Sequence, residues 1–307
     1  MSVLSETHYH NEAAAYRFVE KRVWPEGPIC PHCGGYERIG KLAGKSTREG
    51  VYKCYQCQKP FTVKVGTVFE SSHVKLHLWL QAMFLMASSK KGVSSNQLHR
   101  TLGVTLKTAW FMSHRLRLAM ATVGMEPMGG EGKTVEVDET FLGRLEGIPK
   151  GLKGNGTMNT VLTLVERGGE ARSFHVEGHR RVDVEGIMLA NIKKDTALMT
   201  DEANHYTAVG KKFASHDVVN HKKDEYVRGN ATTNTVEGFY SIFKRGMKGV
   251  YQHCSEKHLH RYLAEFDFRY SNRVATGIND EGRTSRMVSG IVGKRLTYRR
   301  SSEHTSA

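Results

Sequence analysis

Two aspartates and a glutamate sit in segments able to bring their carboxylates together: Val-Glu-Val-Asp138-Glu-Thr, Leu-Met-Thr-Asp201-Glu-Ala and Asn234-Thr-Val-Glu237-Gly-Phe. Carboxylates at the ends of buried strands are costly unless something cationic meets them. Two Asp on strands and a carboxylate on a later helix can hold two Mg²⁺ about 3.5–4 Å apart. Such a pair clamps the attacking and leaving oxygens of a phosphodiester displacement. Lys244 follows Glu237 by two helical turns on the same face and offers a point charge to a phosphate. Asn234, one turn before Glu237, competes for the third ligand place, and helical periodicity does not choose between them. Charge favours Glu237, because Mg²⁺ prefers carboxylate oxygens. In the competing arrangement Glu237 pairs with Lys244 or Arg245 and Asn234 supplies the oxygen.

The elements that must position these groups follow from the apolar pattern. Val135 and Val137 alternate with Glu136 and Asp138, and Leu198-Met199 precede Asp201, so both aspartates end strands. Glu136 shares the strand face of Asp138 and is the acid most easily mistaken for a member of the set. Glu139 and Glu202 flank the aspartates, and His205 and Tyr206 are placed either to approach DNA or to cap and pack. Val236, Phe239, Tyr240, Phe243 and Met247 recur at helical spacing, with Asn234, Glu237, Ser241 and Lys244 as the neighbouring polar stripe. Strands at Thr134–Leu142, 160–166 and 171–177 precede a helix at 182–192, the Asp201 strand, a helix at 204–213, a short strand at Val218-Val219 and the Glu237 helix. That β-β-β-α-β-α-β-α succession resembles an RNase H-like domain. A last helix is expected over 257–273.

Ahead of it stand Cys30-Pro-His-Cys33 and Cys54-Tyr-Gln-Cys57. Four thiolates in two such pairs close a tetrahedral Zn²⁺ site, and a small β segment without a core of its own needs that staple. A redox role needs one pair, not two. His32 is not expected to ligate, and Cys254 reads as a half-buried free thiol. Residues 61–69 alternate and read as strand. The stretch from Val93 to Trp110 has helix-turn-helix grammar, with Ser94 or Ser95 and Thr105 as caps and Gly103 at the turn. Lys107, Arg115 and Arg117 are its expected phosphate contacts, joined on the later helix by Lys244 and Arg245.

With 307 residues, 39% hydrophobic, the chain can bury a substantial core, and its formal charge of +14 favours a polyanion such as nucleic acid. No apolar run reaches the roughly 20 residues needed to span a bilayer. Met1 to Trp24 is polar and unlike a targeting peptide, and the cysteine usage fits a reducing cytoplasm.

The ordered set Cys30-Pro-His-Cys33-Gly-Gly, Tyr52-Lys-Cys54-Tyr-Gln-Cys57, Val137-Asp138-Glu-Thr-Phe-Leu-Gly143, Thr200-Asp201-Glu, His216-Asp-Val-Val-Asn-His221, Asn234-Thr-Val-Glu237-Gly-Phe-Tyr-Ser-Ile-Phe-Lys244-Arg-Gly and the run from His258 to Arg269 resembles the DDE-type transposases of bacterial insertion sequences, in the ISXO-type group with an N-terminal zinc ribbon. The resemblance implies an α/β fold: an RNase H-like catalytic domain, a mixed sheet flanked by helices, behind a zinc ribbon and a helix-turn-helix-like module. It implies Mg²⁺-dependent cleavage and strand transfer, with Mn²⁺ as an alternative ion. Asp138 and Asp201 become the two catalytic aspartates, and the third position carries Asn, Glu or His in the group. The partners implied are terminal inverted repeats, target DNA and at least a second copy of the chain. The expected divisions are 1–65 (helix and ribbon), 66–123 (helix-turn-helix-like), 124–133 (linker), 134–280 (catalytic) and 281–307 (basic tail). A zinc-containing regulator with an inactive RNase H-like domain, and a structure-specific nuclease, are the competing readings.

Overall fold

The computed structural model describes residues 2–122, 124–149, 151–176, 181–220 and 227–297. The chain divides into two compact units, one of residues 1–89, 93–120 and 280–307, the other of 90–92 and 121–279.

In the first unit, helix α1 (Glu12–Val23) starts where the Asn11 side chain accepts the Ala14 N–H, and it buries Ala15, Tyr16 and Val19. Strands β1 (Ile39–Lys41), β2 (Tyr52–Cys54) and β3 (Pro60–Phe61) form an antiparallel sheet. Its core is only Cys30, Cys54 and Phe61, with Trp24, Ile39, Tyr52, Cys57 and Val65 packed against it. The alternation over 61–69 does not make one strand. After Phe61 the backbone turns, with Val65 N–H donating to Thr62 O, Thr67 N–H to Lys64 O and Glu70 N–H to Thr67 O. Val63, Val68 and Phe69 are buried within these turns, so the apolar positions recorded burial and not pleating.

Helices α2 (Leu76–Ser88), α3 (Ser95–Leu102) and α4 (Leu106–Met120) follow. Ser94 Oγ accepts the Gln97 N–H, Gly103 closes α3 at φ +65, and Thr105 Oγ1 accepts the Thr108 N–H at the entry to α4. The expected helix-turn-helix caps and turn are therefore in place. The first part of the expected basic tail is instead a helix, α9 (Asp280–Ser289), which packs on α2, with Arg283 Nε donating to Ala87 O at 2.9 Å. Met287 and Val288 on it are fully buried, which a charge count does not reveal. Residues 290–297 return to the turns before α2, with Ile291 buried and Gly293 N–H donating to Gly66 O, and only the part from residue 298 lies outside the described residues.

The second unit is built on β4 (Thr134–Leu142), β5 (Asn159–Glu166), β6 (Ala171–Val176), β7 (Ala197–Thr200) and β8 (Ser215–Val218), in the order β6-β5-β4-β7-β8. The first three pair antiparallel, and β7 and β8 join in parallel beside β4. This is the five-stranded mixed sheet expected. Helices α5 (Arg181–Asn191) and α6 (Asn204–Gly210) lie on one face, against Val135, Val137, Leu162, Leu164 and Leu198. Helices α7 (Asn234–Gly246) and α8 (Leu259–Ser271) lie on the other, where Val236, Phe239, Tyr240, Phe243, Leu263 and Phe266 meet Val161, Val165 and Ala171. A two-stranded hairpin, β9 (Val227–Arg228) and β10 (Ala231–Thr232), leads into α7. Both faces of β5 are covered, and every one of its residues is buried.

The end of the expected linker is fastened to this sheet. Met128 is in the core and exchanges backbone hydrogen bonds with Asn191 and Lys193, and Gly129 N–H donates to Glu166. Gly129 sits at φ +82 with Thr196 so close that a Cβ would fall 2.2 Å from its Oγ1, so only glycine fits.

Candidate functional site

Strand alternation sends Val135 and Val137 to the α5/α6 face, which leaves Glu136 and Asp138 on the α7 side. The parallel register pairs Val135 with Leu198 and Glu136 with Met199. Carried two residues on, it brings Asp201 level with Asp138. Helix α7 completes the arrangement through two contacts with β4. Its first backbone N–H groups, from Thr235 and Val236, donate to the Glu136 carboxylate at 2.8 and 2.9 Å. Farther along, Tyr240 Oη donates to the backbone carbonyl of Asp138 at 2.5 Å. Glu237 lies between these anchors.

Electrostatics register the convergence. Burial, followed by the charges of Asp201 and Glu139, pushes the Asp138 carboxyl up to about 8; the Glu139 N–H opposes the rise and Glu237 adds to it. Asp201 is raised too, first by burial, with Glu139 and Glu202 adding to it and the Ala203 N–H opposing. Asp138, Asp201 and their acidic neighbours are thus near enough for each to resist the ionisation of the others, although among the described residues only the four cysteines form a preformed cluster of three or more ligand atoms. The set around Asp138 is net acidic, with His205 the cation that opposes the rise at Asp201, and hard oxygen ligands suit Mg²⁺. Glu237 Oε1 accepts from Thr233 Oγ1 at 2.8 Å. Asn234 is exposed at the start of α7, with its N–H on Thr232 Oγ1. Lys244 is half-buried, its Nζ 6.0 Å from the Tyr240 ring centre, and Arg245 is exposed and bonded to Ser241.

The flanking acids are sorted by their partners. Glu136 is fully buried and bound by Arg167 Nε at 2.7 Å as well as by α7, so it is structural. Glu139 pairs with His205 and accepts from Tyr206 Oη at 2.5 Å. Burial pulls the His205 imidazole down, but Glu139 and the charge of Asp201 outweigh it and leave its pKa raised. Two contributors were not legible in advance. Arg167 also donates to the carbonyls of Asn230 and Thr232, locking the hairpin that delivers α7. Tyr240 was counted only as part of the apolar stripe. A basic residue just past a buried strand, and a phenol in an apolar stripe, were the available signals.

The four cysteines meet as expected. The Cys30–Cys57 and Cys33–Cys54 sulfurs are each 3.7 Å apart, and all four lie within 4.8 Å of one another. A tetrahedron with Zn–S bonds of about 2.3 Å sets sulfurs at nearly that separation, so the set fits structural zinc.

Two expected DNA contacts are corrected. Arg115 is 5% exposed and donates to the carbonyls of Val68 and Glu70; Arg117 is 1% exposed and donates to Ser113. Every residue of α4 from Met112 to Arg117 is buried, so both guanidinium groups are enclosed whichever way they point, and they hold the unit together. Lys107, in the first turn of α4, is exposed.

Residues 129–271 match the family described as ISXO2-like transposase domain, and residues 10–60 match the transposase zinc-ribbon domain. A relative from Halobacterium salinarum (strain ATCC 700922 / JCM 11081 / NRC-1), described as an uncharacterized protein in transposable element ISH50, is 26% identical over 275 residues, covering 84% of this chain and 90% of its own. No helix among the described residues is long and apolar enough to cross a membrane.

Proposed function

Because residues 129–271 match the ISXO2-like transposase domain and residues 10–60 the transposase zinc ribbon, we propose that the chain is a transposase of that kind, which binds the ends of an insertion sequence, cuts them and joins them to target DNA. The observation that carries the reading is the placement of Asp138 on β4 beside Asp201, just past the parallel neighbour β7, with the Asp138 carboxyl pushed up to about 8 first by burial and then by the charges of Asp201, Glu139 and Glu237. Asp138 lies within β4 and not at its end as expected, while Asp201 follows the last residue of β7; mutually repelling carboxylates on adjacent strands are what a cation-dependent phosphodiester site requires before its ions arrive.

Asp138, Asp201 and Glu237 would hold Mg²⁺, which when bound supplies the positive charge that offsets the anionic phosphodiester. Lys244 pairs the DNA backbone beside the scissile phosphate. The Tyr240 bond to the Asp138 carbonyl and the Glu136 cap on α7 fix the acids relative to one another. Hydrolysis frees a 3′-hydroxyl at the element end, and that hydroxyl attacks target DNA directly. No Ser or Tyr of the chain becomes bonded to DNA. The zinc ribbon and the exposed entry of α4, with Lys107, hold the ends, and joining two ends calls for a dimer or larger assembly.

The test is incubation of the full chain with duplexes carrying its flanking terminal repeats and Mg²⁺. Nicks that leave 3′-hydroxyls are expected. A trapped protein–DNA adduct, or full activity in Asp201→Ala, would sink the reading.

A further inference from the structure

Beyond the acids, at the far end of β4, the second unit holds a cavity of about 490 Å³. That size is within the range of small-ligand sites, roughly 300–1,000 Å³. Leu142, Met247 and Leu259 give it apolar wall, and Arg144 and Lys248 stand at its exposed side. Asn159, the residue paired with Leu142 at the start of β5, is 4% exposed. Its Nδ2 donates to Arg144 O at 3.4 Å, while its Oδ1 is buried with no hydrogen-bond partner among the described residues. Ser255 Oγ, on the same cavity, is a second such atom. Native proteins leave few buried polar atoms unsatisfied, so two on one cavity ask for an occupant that supplies polar edges.

The chemistry of that occupant follows from the lining. Apolar wall suits a flat ring; an unpartnered amide oxygen calls for an N–H donor; a hydroxyl takes either role; Lys248 and Arg144, the latter also donating to the Pro149 and Leu152 carbonyls, outweigh the one carboxylate of Glu256 and favour an anion. A nucleotide carries all of these. The cavity is also built on the two elements that carry the proposed active site, β4 and α7 with its continuation. Leu142 lies four residues after Asp138, about 13 Å along an extended strand. Met247 and Lys248 belong to a single π-helical turn, Met247–Tyr251, that continues α7 directly after Lys244 and Gly246. DNA lying on Asp138 and Lys244 would present its neighbouring nucleotides here, within about four base steps.

We propose that this cavity receives one nucleotide extruded from the DNA duplex beside the cut site, its base edge read by Asn159 and Ser255 and its phosphate held by Lys248 and Arg144. The proposal rests on the transposase reading and adds to it that the duplex is locally unpaired when bound. Enzymes that act on a base take it out of the stack in the same way, and a mispaired or frayed base costs least to extrude.

The test places 2-aminopurine at successive positions around the cut in a duplex carrying the flanking repeat. Emission is read with the full chain bound, and binding is followed in the same sample by anisotropy. One position should brighten several-fold, since the cavity has no Phe, Tyr or Trp among its described lining residues to quench the base. The brightening should be lost in Asn159→Leu, which keeps the shape and removes the amide, and reduced in Lys248→Ala at an exposed site. Bound DNA with no bright position, or brightening unchanged in both variants, overturns the extrusion. A parallel Mg²⁺ reaction that still nicks such DNA leaves the transposase reading standing. Absence of binding to the repeat counts against that reading and the cavity together.

Discussion

Glu136 on β4 and Arg167, just past β5, form an ion pair at 2.7 Å on which α7 is hung, the carboxylate fully buried and the guanidinium half-buried. The carboxylate also takes the first N–H groups of the helix, and the guanidinium takes the carbonyls of the hairpin before it. A carboxylate at a helix N-terminus is favourable in itself, and here it sets where Glu237 and Tyr240 fall relative to Asp138.

Glu136→Gln should therefore destabilise the second unit by about 1–3 kcal/mol, the cost of leaving buried hydrogen-bond groups unsatisfied, because the guanidinium left behind keeps contact with water. It should also reduce DNA cleavage without Glu136 being an ion ligand. Urea unfolding checks the first point. For the second, Arg167→Gln should produce the same loss of cleavage; an unimpaired Arg167→Gln would separate Glu136 from this clasp.

The zinc site carries a prediction of its own. Purified protein should hold one zinc per chain, and Cys54→Ser should lose it. Because metal binding and folding of so small a core are coupled, residues 10–60 should then become sensitive to protease while 129–271 stay resistant. Unchanged resistance of the ribbon segment in the zinc-free variant would count against the structural role.

Much of this was visible in the chain itself. Strand alternation placed Asp138, the apolar stripe placed α7, and the paired cysteines announced their site, because each signal is local. Arg115 and Arg117 misled because a cation on a helix of a basic protein resembles a phosphate contact until tertiary packing shows that the helix is buried all round at that point. The Glu136–Arg167 pair was hidden for the same reason: residues far apart in sequence meet only after the sheet is assembled. The 61–69 segment failed because period-two burial occurs in successive turns as readily as in a pleat.

That correction is testable. Arg115→Ala should cost about 2–3 kcal/mol of stability through the carbonyls it leaves unsatisfied, with little change in DNA affinity once folded. Lys107→Ala should do the reverse, weakening binding and lowering the salt dependence by about one counterion. Filter binding across a salt series, beside thermal melts, separates the two behaviours.

Asp267 on α8 gives a pH signature away from the acid set. Burial pushes its carboxyl up to about 7, although the hydroxyl and N–H of Ser173, which it accepts at 2.6 and 2.8 Å, oppose the rise. A folded pKa above the unfolded value means the folded state holds the proton longer, so stability falls as pH rises from about 4 to about 7 and is then level. Each unit in that window is worth at most about 1.4 kcal/mol. Asp267→Asn removes this dependence, so its stability relative to wild type should improve between pH 5 and pH 8. A difference that stays constant with pH in paired urea titrations would contradict the assignment.

The third ligand place is the sharpest question on α7. Glu237 is among the charges that raise Asp138, whereas Asn234 is exposed at the first position of the helix. Arg245 is turned to Ser241 and Lys244 lies over Tyr240, which weakens the alternative in which one of them claims Glu237. A third carboxylate also offsets more of the charge on two divalent ions than an amide can. Glu237→Gln should therefore lower Mg²⁺-dependent cleavage by about 10²-fold or more, the scale of losing a ligand or its charge, while Asn234→Ala keeps most of it. Both proteins should remain folded, since neither side chain is buried in the core. Near-normal cleavage by Glu237→Gln beside a dead Asn234→Ala would reverse the assignment and move the ligand oxygen one turn toward the start of the helix.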